Sequence, residues 1–214
     1  MVSSLGHAQN VAIYSAPSTT TVAVIAAVSG AHLRRVWCVG SDISPSDLET
    51  STQRLQATST ADVTQVDSLA DIDEAIDLDL VIFDATHAPT DVAALTDITA
   101  GGADAIDRFV AQGRGRLLIA MSPNDAGTAQ GAAASAGAVA WAQHLAQALD
   151  ERAIALVVAE LGSESSPATI AAAADAVRVN RSAILLADEQ RRMGRRRLPW
   201  QRSRRAQDDS PNGE

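Results

Sequence analysis

Short apolar runs alternate with helix-length segments along this chain, and the alternation constrains its fold more than any other feature. NVAIYS (10–15), LRRVWCVG (33–40), DLVIFDA (79–85), GRLLIAMS (115–122) and AIALVVAEL (153–161) all have strand length and are rich in Val, Ile and Leu. DLVIFDA and GRLLIAMS are nearly unbroken by polar residues, the pattern of strands buried on both faces of a parallel sheet. ADVTQVD (61–67) and SAILLA (182–187) read as weaker strands. Between them, TTTVAVIAAVSG (19–30) reads as a helix closed by Gly30, and SPSDLETSTQRLQAT (44–58) as a helix with Pro45 near its start. SLADIDEAI (68–76) reads as a capped helix, and GADAIDRFVAQG (102–113) as a helix ending at Gly113. An alanine-rich helix runs from Gly131 to about Glu151, and SPATIAAAADAVRV (166–179) carries Pro167 in its first turn. Proline just inside a helix start and glycine just past its end are the expected punctuation. Alternating strands and helices predict an α/β fold: a Rossmann-like, doubly wound parallel sheet in a three-layer sandwich.

A length of 214 residues suits one domain, placed here at 1–190. Aromatics make up only 3%, so the core is expected to be Ala, Val, Leu and Ile. Cys38, the single cysteine, lies in VWCV and reads as a buried thiol. No apolar run is long enough to span a bilayer. The start MVSSLGHAQN has neither a basic region nor an apolar one, so the expected location is cytoplasmic. Residues 191–214 carry eight Arg and three acids, whereas the whole chain is at −9, so an acidic body precedes a basic tail. That tail has no core-forming period and is expected to be disordered. It reads as a solvated terminus, as a docking arm for an acidic partner or anionic lipid anchored by Trp200, or as a nucleic-acid contact. The acidic body works against the last.

Two counts restrict the chemistry. The chain has no lysine, and its one tyrosine, Tyr14, lies on the first strand. The four histidines, His7, His32, His87 and His144, are isolated and show no metal-ligand spacing. DLVIFDATHAPTD also looks like the phosphoacceptor strand of a receiver domain, with Asp84 as acceptor. Receivers need an acidic pair after the first strand, where this chain has Ser15-Ala16, and a lysine after a later one.

In doubly wound sheets, ligands bind beyond the strand C-termini. The positions to inspect are therefore Ser15–Val22, Gly40–Asp42, Phe83–Thr86, Ser122–Gln130 and Glu160–Ser166. NVAIYSAPSTTTVAVIAAVSGAHLRRVWCVGSD, DLVIFDAT, FVAQGRGRLLIAMS, the alanine helix and LDERAIALVVAELG together resemble the short-chain dehydrogenases/reductases over roughly residues 9–188. The 3-oxoacyl-thioester reductase branch is the most similar. The resemblance implies strand order 3-2-1-4-5-6-7. It also sets this chain's departures in place. The family's TGxxxGxG cofactor loop falls on Ser15–Val22, and its glycine slots hold Ala16, Thr20 and Val22. β-Branched side chains at the last two would crowd a phosphate at the helix N-terminus. The NNAG segment becomes Phe83-Asp84-Ala85-Thr86. Asp84 reads either as a functional carboxylate at the switch point or as a partly buried acid capping the next loop, and the second is favoured. Asp42 falls where the family selects its cofactor, and reads better as a loop acid than as a ribose contact.

Of the family's catalytic Ser, Tyr and Lys, Ser122 matches the serine, while the Tyr slot holds Gly131 and the Lys slot Ser135. Leu161 stands in place of a usual proline, and the stretch from Thr86 to Ser122 is short, as if a helix before GADAIDRFVAQG were reduced. The resemblance thus implies a degenerate member that binds no nicotinamide cofactor and is catalytically inactive. Its implied role is a non-catalytic subunit, in a homodimer or in a hetero-oligomer with an active reductase paralogue. Contact would run through helices 102–113 and 131–151, with Phe109, Trp141 and His144 in or beside it. The alternatives are a divergent NAD(P)-dependent oxidoreductase and a stand-alone Rossmann module that binds a small ligand or a protein.

Overall fold

The computed structural model describes residues 7–86, 92–122, 129–162 and 165–186. The Arg-rich tail with Trp200, His87 and residues 123–128 lie outside them. Seven parallel strands form one sheet in the order β3-β2-β1-β4-β5-β6-β7. They are β1 (Asn10–Tyr14), β2 (Arg35–Val39), β3 (Asp62–Val66), β4 (Leu80–Ala85), β5 (Gly115–Met121), β6 (Ile154–Glu160) and β7 (Ala183–Leu185). The central strands are buried along nearly their whole length, β5 at all seven positions.

Pleating divides the core in two. Val11, Ile13, Val36, Leu80, Ile82, Leu118 and Ala120 face one layer, formed by α1 (Thr19–Ser29), α2 (Pro45–Gln56) and α5 (Pro167–Arg178). Ala12, Trp37, Val81, Phe83, Leu117 and Ile119 face the other, formed by α3 (Val92–Gln112) and α4 (Ala129–Asp150). Serine starts the helices of the first layer: Ser18, Ser44 and Ser166 each accept a backbone N–H three residues on. Alanines 134, 138, 142 and 146 repeat every fourth residue on the buried face of α4 and let it lie close on the sheet.

Two expected elements differ. SLADIDEAI forms only a 3-10 turn, Leu69–Asp71, although the capping box of Ser68 and Asp71 is present. A side chain of α3 holds the stretch in this form. Arg108 Nη1 donates to the carbonyls of Leu69 and Ile72, and Nη2 to those of Asp73 and Ile76. The carbonyls of Leu69 and Asp73 also accept Ile72 N and Ile76 N, so the guanidinium clasps two short turns rather than a continuous helix. Gln112 holds the end of the linker, accepting from Leu78 N at 3.0 Å and donating to Leu78 O at 2.9 Å.

The second difference is α3 itself. It starts at Val92 rather than at 102. Gly101-Gly102 looks like a breaker, but both glycines are sites of close approach. A Cβ on Gly102 would lie 2.6 Å from the Trp141 ring, and one on Gly101 would lie 2.8 Å from Phe83.

Candidate functional site

The strand C-termini converge around the first turn of α1. Pleat parity places Asp84 on the same face as Leu80 and Ile82, toward α1 rather than α3. Its side chain sits under the helix start and is 6% exposed. Oδ2 accepts the backbone N–H of Ser18, the N-cap of α1, at 2.7 Å. Oδ1 accepts Thr86 N at 3.1 Å and Thr86 Oγ1 at 2.6 Å. Asp84 therefore does cap the loop that follows it, and in addition it ties β4 to the β1–α1 loop.

The other residues of that loop turn inward. Ser18 Oγ accepts from Thr21 N and donates to Thr21 Oγ1, both at 3.1 Å. Thr20 Oγ1 donates to Gly162 O at 2.9 Å, so the end of β6 joins the same cluster. Gly162 N in turn donates to Ser165 Oγ. Thr20 and Val22, in two of the glycine slots, are buried, and Ala16 in the third is half-buried. Ser15 holds a left-handed backbone at φ 93° and donates from Oγ to Asp84 O at 3.2 Å. Left-handed backbone in a residue other than glycine stores strain, typically beside a site.

The remaining expected positions contribute less. Asp42 is exposed on the loop after β2, beside Gly40. Ser122 follows β5 and donates its N–H to Ala85 O at 3.1 Å. Gly131 and Ser135 lie in the first turns of α4, half-buried, and neither side chain can supply a phenol or an ammonium. Leu161 is fully buried at the end of β6.

Tyr14, the only phenol, stacks on Phe83 with ring centroids 4.1 Å apart and lies beneath α3 at Gly101. Burial, with the Asp104 carboxylate adding to it, pushes its hydroxyl up to about 12. A phenol that passes a proton near neutrality needs the opposite shift. Burial also pushes the Cys38 thiol up to about 11, so it is no ready thiolate.

Of the residues placed at a subunit contact, Phe109 is fully buried in this chain's own core. A Cβ on Gly115 would lie 2.1 Å from its ring, so the aromatic face fills the gap left by the glycine and offers no surface to a second chain. Trp141 is half-buried against Gly102 of α3. Only His144 is exposed, beside Gln143 and Gln147 on the outer face of α4. Among the described residues, no helix is long and apolar enough to cross a membrane, and no three His, Cys, Asp or Glu side chains group as metal ligands.

No protein-family model matches the sequence, and no curated protein matches it. Solved structures do match the fold. An NAD+-bound xylitol dehydrogenase superposes with a TM-score of 0.56 at 11% identity, covering 75% of this chain and 73% of its own. An NADP-bound 3-oxoacyl (acyl-carrier-protein) reductase from Agrobacterium tumefaciens C58 gives 0.55 at 12%, covering 85% of this chain and 94% of its own. A bulky-bulky ketone specific alcohol dehydrogenase from Comamonas testosteroni gives 0.55 at 17%, covering 96% and 97%. The shared property is the fold: a seven-stranded parallel sheet in the same Rossmann-like architecture.

Proposed function

We propose that this chain is a short-chain-dehydrogenase-like subunit without oxidoreductase chemistry of its own. One observation carries the reading: the first turn of α1 is filled by the chain's own groups. Ser18 N–H is taken by Asp84, and Thr20 is turned inward onto Gly162 O. A dinucleotide pyrophosphate needs free backbone donors and glycine-width access at this helix end. The residues present do not fit it. The catalytic slots add support, because Gly131 and Ser135 supply no proton relay and the sole phenol is stacked under α3.

Fold conservation without the site's chemistry favours a role in assembly, as a homodimer or beside an active reductase paralogue. The surface for that role is the outer face of α4, where Ala132, Ala136, Ala140 and His144 are exposed. Small side chains permit close helix approach. Phe109 has no part in it, and Trp141 serves the α3–α4 packing within the chain.

Calorimetry with NAD+, NADH, NADP+ and NADPH tests the first half. Binding should be no tighter than about millimolar, and micromolar affinity, on the order of −8 kcal/mol, would restore the enzyme reading. Sedimentation of the chain, alone and mixed with its nearest intact reductase paralogue, tests the second. Association lost in Ala140→Glu supports the α4 face, whereas a monomer in both samples overturns the subunit role.

A further inference from the structure

We infer that the Asp84 carboxylate is a built-in anion for α1, filling the place where a doubly wound fold of this kind otherwise meets a phosphate oxygen. The inference deepens the reading above and rests on the same helix end, but it makes a separate physical claim. The N-terminus of a helix carries unsatisfied N–H groups and partial positive charge. A carboxylate aimed at them gains from both, and its bonds are short and charge-assisted. Asp84 meets these conditions with a 2.7 Å bond to Ser18 N, and its second oxygen is committed to Thr86. Both residues of the central bond are buried, Asp84 at 6% and Ser18 at 9% exposure. The strained Ser15 then adds its Oγ bond to the carbonyl of Asp84 itself. The chain thus supplies its own anion at this helix end.

Chemical rescue tests this. Asp84→Ala removes the carboxylate and leaves a space of formate size beside three freed donors. The melting temperature of the full-length variant should fall by roughly 4–8 °C. Formate at about 0.1 M should then raise it more than equal chloride does, by mass action at the vacated place. The unaltered chain should respond alike to the two salts. Asp84→Asn keeps the shape without the charge, and should be destabilised yet show no preference for formate. If Asp84→Ala melts with the unaltered chain, or formate and chloride act alike on it, the carboxylate is not the anion of this helix. If Asp84→Ala does not fold, Asp84→Asn decides alone: full stability in that variant overturns the inference, and a loss of stability supports it. Micromolar dinucleotide binding by the unaltered chain would defeat this inference and the inactive-subunit reading together. Absence of formate rescue without dinucleotide binding would defeat this one only.

Discussion

At the C-terminal edge of the sheet, the Asp84 carboxylate gathers Ser18 N, Thr86 N and Thr86 Oγ1. On the opposite face, the Arg108 guanidinium gathers the carbonyls of Leu69, Ile72, Asp73 and Ile76. One anion collects donors where this architecture usually meets a ligand. One cation collects acceptors where it usually has a crossover helix. The two differ in what they replace. Asp84 sits under a helix that stands without it, packed by Val22, Val24, Ile25 and Val28. Arg108 serves a linker whose only regular structure is one 3-10 turn. Loss of the cation should therefore disorder a segment, and loss of the anion should loosen one end of a helix.

The largest effect is expected at Arg108. Arg108→Ala removes four bonds at once, three of them partly buried, and leaves the carbonyls of Ile72 and Ile76 without their donor, while those of Leu69 and Asp73 keep Ile72 N and Ile76 N. Orphaned groups of this kind cost about 1–3 kcal/mol each when water cannot reach them. Partial exposure reduces the sum, and a loss of about 3 kcal/mol follows, larger than that for Asp84→Ala. Urea unfolding gives the number, and amide exchange should quicken over residues 67–79 before the rest of the sheet. A loss under about 1 kcal/mol would mean that water replaces the guanidinium, and the comparison between the two ties would fail.

Particular residues show how much of this was legible in the sequence. The strands were, because burial on both faces leaves an apolar run that little else produces: DLVIFDA became Leu80–Ala85, and GRLLIAMS became Gly115–Met121. The cap expected at the start of SLADIDEAI is present, as the box of Ser68 and Asp71, but it opens a 3-10 turn rather than a helix. The same local bonds open a helix or a 3-10 turn, and the side chain that clasps the stretch, Arg108, is more than thirty residues away. The helix expected over 102–113 extends back to Val92 across Gly101 and Gly102, and Phe83 and Trp141, which accommodate two mid-helix glycines, are remote in sequence. Phe109 was expected in or beside a subunit contact because the resemblance puts helix 102–113 there, and the gap over Gly115 that its ring fills is invisible in one dimension. Of the candidate site, the capping of Thr86 by Asp84 was legible. Its bond to Ser18 was not, although parity with Ile82 and the adjacency of β1 and β4 were the signal.

Thr20 carries the anion's cluster to a third strand end, and its removal should cost less. Thr20→Val keeps the shape but removes the 2.9 Å bond to Gly162 O, which keeps Ser165 N, so the loss is that of one buried hydrogen bond, about 1 kcal/mol. The combination with Asp84→Ala sharpens the comparison. Both side chains act on the first turn of α1, so their effects should couple by at least about 0.5 kcal/mol. Thr20→Val and Arg108→Ala act on opposite faces of the sheet and should add. Coupling of the second pair in urea titrations, or strict additivity of the first, would show that the two ties do not define separate regions.

The smallest expected effect is at Ser15, where strain and bonding oppose each other. Its φ of 93° lies in a region that glycine enters freely and a residue with a Cβ does not. Ser15→Gly relieves roughly 1–2 kcal/mol of that strain. Against this stand the lost Oγ bond to Asp84 O at 3.2 Å and the greater freedom of glycine in the unfolded chain. These cost about 0.5–1 kcal/mol each. The balance should be within about 0.5 kcal/mol of zero. Ser15→Ala separates the two contributions, because it keeps the strain and loses the bond, and it should destabilise by about 1 kcal/mol. Equal unfolding midpoints for Ser15→Ala and the unaltered chain would mean that the Oγ bond contributes nothing to the anion's cluster. A loss above about 1 kcal/mol in Ser15→Gly would mean that the bond outweighs the strain, and that Ser15 belongs to the tie as firmly as Thr86 does.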